Sequence, residues 1–181
     1  MRIGKFIALG ALLAAVATGS ASRSHGETQV PSPYAKTAGR AAKTLSEQAI
    51  TDLKAGRGMS LALAAELNGY PGPLHALELA DALALNDEQR TKTQALLDTM
   101  RTEAISIGEQ IIAEETRLDS RFAGKSIDRN ELAAATARIG ALQGALRATH
   151  LSTHLAMVDI LSPAQTARYA QLRGYGTGGH D

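Results

Sequence analysis

The chain has 181 residues, no cysteine and no tryptophan, and its 19 basic residues nearly balance 18 acidic ones for a formal charge of +1. The lack of thiols excludes disulfides, thiolate metal sites and lipid attachment through cysteine. A near-neutral balance with only two phenylalanines and four tyrosines supplies neither the basic field nor the aromatic platform that nucleic-acid binding uses.

The N-terminus places Arg2 and Lys5 ahead of an apolar run over residues 6–16, followed by the small residues Ala15-Val16-Ala17 and Gly19-Ser20-Ala21. This is the three-part layout of a cleavable export signal, expected over residues 1–21. The run is shorter than the roughly 20 residues that span a bilayer, so no membrane anchor is expected after cleavage. Cleavage removes two bases and no acid, taking the charge from +1 to −1. Residues 22–40 mix Ser, Gly, Pro, Thr and Lys without apolar periodicity, the composition of a flexible leader. A helical domain is expected over 41–174 and a glycine-rich, mobile tail over 175–181.

Within the domain no stretch alternates apolar and polar residues as a half-buried strand does. Ser46 is placed to cap a first short helix ending at Gly56, and Ser60 a second ending at Asn68-Gly69. Tyr70-Pro71-Gly72-Pro73 breaks the chain before a third short helix over 74–83. Two long helices follow. The first runs from Asp87 to about Phe122, with Leu97, Met100, Ala104, Ile111, Leu118 and Phe122 recurring at threes and fours. The second is capped by Asp128 with Glu131 three residues later, and continues the rhythm through Leu132, Ile139, Leu142, Leu146 and Met157. The connection at 124–127 is short enough to force the two antiparallel. A last short helix reaches Arg173.

The expected fold is therefore all-α: a long antiparallel helical hairpin with short flanking helices. Each long helix, at 1.5 Å per residue, is on the order of 50 Å long. That is more apolar stripe than three short helices cover, so an elongated homodimer or an exposed apolar surface is expected.

Two five-residue patterns flank the hairpin, Leu85-Asn86-Asp87-Glu88-Gln89 and Leu161-Ser162-Pro163-Ala164-Gln165. In each, a short polar residue (Asn86, Ser162) is suited to cap free backbone N–H groups, and a glutamine (Gln89, Gln165) occupies the reciprocal capping-box position. Pro163 stands at the first helical position, where its missing N–H costs nothing. With these motifs on a helical hairpin, residues 74–173 resemble the Spy/CpxP family of periplasmic proteins, which carry two Leu-Thr-x-x-Gln motifs. Asn86 and Ser162 replace the family's threonine by other good caps. The resemblance implies a periplasmic, ATP-independent chaperone or envelope-stress adaptor that holds unfolded or partly folded envelope proteins. As an alternative it implies a heavy-metal sensor or resistance protein, since related branches bind or sense zinc, nickel or cobalt. An inert structural dimer is the third possibility.

His150 and His154 are the sharpest local feature. Four apart on a predicted helix, they project from one face, which suits two imidazoles on one ion. They also fall within the apolar rhythm, so they read either as a ligand pair or as seam residues donating hydrogen bonds. Folding the hairpin at residue 125 sets them opposite residues 97–101, near the helix that carries His75 and Glu78. The nickel- and cobalt-sensing relatives use histidine, carboxylate and thioether ligands, and the same types occur here in His75, Glu78, His150, His154 and Met157. Zinc or nickel is the cofactor class this set would take. Glu103, Glu109, Glu114 and Glu115 read as a solvated face, and His25 and His180 are assigned no role. No nucleophile elbow is present, and Gly56-Arg57-Gly58 lacks the strand, third glycine and lysine of a phosphate loop. The chain is read as a non-enzyme.

Overall fold

The computed structural model describes residues 32–175. The export signal, most of the leader, His25, the end of the tail and His180 lie outside the described residues. A boundary after Ala35 divides the chain into two units. The described part of the first, residues 32–35, is a turn in which the Ala35 N–H donates to the Ser32 carbonyl at 3.0 Å.

The second unit is all-helical among the described residues, and none of its helices is long and apolar enough to cross a membrane. In chain order its α-helices are α1 (Glu47–Lys54), α2 (Leu63–Glu66), α3 (Pro73–Glu78), α4 (Asp87–Ala123), α5 (Arg129–Ile160) and α6 (Pro163–Leu172). α4 and α5, of 37 and 32 residues, pack along each other as the expected antiparallel hairpin. Ser46 caps α1 by accepting from the Ala49 N–H. Complete capping boxes open α4, α5 and α6 at Asn86/Gln89, Asp128/Glu131 and Ser162/Gln165.

Two short elements differ from expectation. Ser60 does not cap a helix: Met59 and Ser60 have φ of 42° and 64°, whereas a capping residue needs extended backbone. The left-handed pair turns the chain back, and α2 shrinks to four residues with no side-chain cap. α3 ends at Glu78 rather than at residue 83. Beyond it the backbone closes through hydrogen-bonded turns, with the Leu85 N–H donating to the Ala80 carbonyl at 2.9 Å around a left-handed Ala84.

The core forms two clusters. At the base, Leu83, Leu85, Met157, Leu161 and Tyr169 gather with Ala76 and Ala80 from α3 and the turn after it. Higher up, Leu53 of α1 meets Ala104, Ile111 and Leu146. There α1 rests directly on the α4 backbone, since a Cβ on Gly108 would lie 2.6 Å from the Leu53 carbonyl oxygen. Toward the hairpin turn the short helices run out. Ile139 is still buried, but Phe122 and Leu132 are 53% and 37% exposed and Leu118 is half-buried. The acidic face of α4 is also less uniform than expected: Glu115 is buried and accepts from the Thr44 hydroxyl at 2.7 Å.

The two motifs meet at the base. Gln89 Nε2 donates to Gln165 Oε1 at 2.8 Å and to the Ile160 carbonyl at 2.9 Å. Gln165 Nε2 donates to Gln89 Oε1 at 3.0 Å and to the Leu83 carbonyl at 3.2 Å. Each Oε1 also accepts from its own cap residue, from the Asn86 N–H at 3.2 Å and the Ser162 N–H at 2.9 Å. A primary amide has two donors and two acceptor positions, and both amides use all four. The clasp ties the start of α4 to the end of α5, while Leu85 and Leu161 fill the core beneath it.

Candidate functional site

Above this base a cavity of about 400 Å³ opens between the hairpin and the short helices. α5 contributes His150 and His154, and α4 contributes Leu97, Met100 and Arg101, the stretch that the hairpin register sets opposite them. The loop after α1 forms the roof, passing close enough that a Cβ on Gly58 would lie 3.7 Å from His150 Nδ1. Glu66 of α2, the Gly72-Pro73-Leu74-His75 start of α3, and Arg173 complete the wall.

His154 is held in a defined orientation. Its Nδ1 lies 2.8 Å from the Tyr70 carbonyl oxygen. A carbonyl only accepts, so Nδ1 carries a proton and Nε2 is the nitrogen that the neutral ring would offer to a metal, the arrangement found in metal-binding histidines. The same Nδ1 is 3.6 Å from Glu66 Oε2. Glu66, itself buried, accepts a short hydrogen bond at Oε1 from the Tyr169 hydroxyl, and Arg173 Nε stands 3.6 Å from that same oxygen. The Gly72 N–H donates back to the Tyr169 oxygen at 3.3 Å. A Cβ on Gly72 would come within 3.1 Å of both Glu66 Oε2 and His154 Cε1, so this corner is closed to a side chain. Burial first and the Glu66 bond second push the Tyr169 phenol far above its ordinary value, and it remains a neutral donor.

His150 is 5% exposed, and its Nε2 is buried without a hydrogen-bond partner. Burial, reinforced by the neighbouring His154, lowers its pKa from the ordinary histidine value. A neutral imidazole with an unpartnered ring nitrogen is costly in an interior, by about 1 to 3 kcal/mol, and such a group calls for a functional account.

Of the residues singled out from the sequence, His150, His154 and His75 line this one cavity. Glu78 does not: its side chain is 58% exposed and pairs with His75 Nδ1 at 2.9 Å on the surface. Met157, offered as a thioether, is fully buried in the base cluster, and Met100 is the thioether of α4 that reaches the cavity. Among the described residues no three His, Cys, Asp or Glu side chains are grouped to hold one ion. Sequence reasoning passed over Glu66, Arg101, Tyr169 and Arg173. Glu66 had a visible signal, a lone acid ending the apolar run Leu61-Ala62-Leu63-Ala64-Ala65. The others had none, because their roles depend on segments far away in the chain.

A family model described as heavy-metal resistance matches residues 59–168, more than half of the chain. The chain belongs to the heavy-metal resistance family. That family lies within the Spy/CpxP-like superfamily of periplasmic helical proteins. The heavy-metal resistance match runs from the cavity roof into α6, so it takes in Glu66, both cavity histidines of α5 and both glutamine motifs, and leaves out α1. No curated protein and no solved structure matches the chain.

Proposed function

We propose that the protein is a periplasmic heavy-metal-binding protein that takes up a divalent transition metal of the zinc, nickel or cobalt class on His150 and His154. The observation that carries this reading is the buried, unpartnered His150 Nε2 one turn from a histidine whose Nδ1–H is engaged by a backbone carbonyl. Imidazole nitrogen suits these ions, whereas calcium and magnesium require oxygen ligands. The family match and the signal-like N-terminus support an exported metal-handling role.

Calorimetry with zinc or nickel on the wild type and on the His150→Ala, His154→Ala double variant tests it. Binding is expected in the first and a loss of at least about 100-fold in the second, since two imidazoles provide the protein's share of the coordination. Equal affinity in both proteins would reduce the histidines to packing residues. The pH dependence has a defined sign. Metal competes with protons for neutral imidazole, and the pKa of His150 lies below the ordinary value of 6.5. Protons therefore compete at His150 only under more acidic conditions than at a free histidine, and zinc affinity is expected to fall as the pH is lowered through that range.

A second reading rests on a different observation. Leu67, Leu74, Leu155 and Val158 are 58%, 43%, 59% and 42% exposed, apolar side chains open to solvent that supply the kind of contact by which partly folded envelope clients are held without ATP. Burying about 300 to 400 Å² at about 25 cal/mol per Å² supplies roughly 8 to 10 kcal/mol before association costs, which leaves reversible binding. Light scattering of a heat-stressed client measures it. Suppression is expected at several-fold excess, and its absence while the protein stays folded would remove the chaperone reading.

A further inference from the structure

The cavity is poorly matched to a naked ion. One water occupies about 30 Å³ of liquid, and 400 Å³ falls within the range of small-molecule pockets. The charge on its walls also has the wrong sign for a bare divalent cation. Arg57, Arg101 and Arg173 line it against a single carboxylate, Glu66, which is already engaged by Tyr169. Arg57 pairs with Asp52 at 2.7 Å and Arg173 stands 3.6 Å from Glu66, but Arg101 has no acidic partner among the described residues. His150 and His154 are the imidazoles of the metal reading, and among the described residues no third His, Cys, Asp or Glu is grouped with them to hold an ion. Zinc takes four ligands and other transition ions up to six, so at least two positions must be filled from outside.

Building on the metal reading proposed above, we infer that the site takes its metal as a chelate with a small polycarboxylate. His150 and His154 bind the ion, and Arg101 binds a free carboxylate of the chelator. A divalent ion wrapped by a tricarboxylate is a net anion, which reverses the mismatch with the arginine-rich wall. A guanidinium without an internal partner is the group best suited to a carboxylate arriving with the ion. The remaining volume accommodates the organic part, and the missing ligands come with it.

Calorimetry near neutral pH with nickel alone, citrate alone and equimolar nickel–citrate tests this on the whole chain. Nickel–citrate is expected to bind at least about ten-fold tighter than nickel, the effect of one added charge-assisted contact, and citrate alone not at all. Arg101→Gln, an exposed position, is expected to remove that ten-fold advantage without weakening the binding of nickel alone, since the cavity wall loses a like charge. His150→Gln, checked for intact helicity, is expected to lose both forms. If nickel alone binds and citrate strips it in proportion to chelation, the chelate inference is overturned and the metal reading stands. Citrate alone binding as tightly as the chelate also overturns the inference, since it would make the cavity an anion pocket. If nickel binds in neither form, both readings fall together.

Discussion

Ile111→Ala or Leu146→Ala is expected to lower the unfolding free energy by about 2 to 5 kcal/mol. Ile111 on α4 and Leu146 on α5 are 2% and 4% exposed and share a cluster with Leu53 and Ala104. Around them Met100, Ile107, Ile112 and Leu142 are packed against the cluster, so truncating either side chain leaves a cavity that neighbours on two long helices cannot collapse to fill. Denaturant melts measure the loss. The matched control is Leu132→Ala, which removes as much side chain from a position 37% exposed near the hairpin turn and is expected to cost well under half as much. A loss below about half a kcal/mol at both buried sites would contradict the packing described, given the usual range for such truncations.

Gln89→Glu or Gln165→Glu should be comparably damaging through a different mechanism. Each replacement removes the two donors that serve a backbone carbonyl and the partner amide. A carboxylate is an acceptor only, so the Ile160 or Leu83 carbonyl loses its side-chain donor in a part-buried setting, at about 1 to 3 kcal/mol, and the partner's Oε1 keeps only the bond from its own cap residue while facing a new carboxylate. The helix starts themselves survive, because a glutamate accepts from the Asn86 or Ser162 N–H as well as a glutamine does. The loss is therefore assigned to the clasp and not to the cap. Its pH dependence provides the check. Packed against acceptors, the new carboxyl has a raised pKa in the folded state, so the folded protein binds more protons than the unfolded one near that pKa. Stability is expected to recover as the pH falls through it. A penalty independent of pH between 4 and 7, where an ordinary glutamate titrates near 4.3, would argue against the pairing.

Much of the fold was legible because its signals are local. Ser46, Asn86, Asp128 and Ser162 each cap the helix whose start they mark, and a cap depends on nothing beyond the next three residues. The threes-and-fours rhythm sets the extent of α4 and α5 in the same way. Ser60 shows the limit. Its side chain is as good a cap as that of Ser46, yet the chain is pulled left-handed there as the loop closes over His150, and tertiary packing overrides the local preference.

By itself, the sequence determined where α1, α4, α5 and α6 begin, that the two long helices turn back on each other, and that His150 and His154 share a face, since each depends on residues within a turn or two. Only the tertiary structure decided that Gln89 and Gln165, 76 positions apart, satisfy each other, that Glu66 stands against His154, that Arg101 lines the cavity, and that Glu78 points away from it. The physical reason is the range of the forces involved. Capping and periodicity act between neighbours along the chain, whereas the choice of which polar groups are buried together follows from how whole helix faces pack, and no short window of residues specifies that.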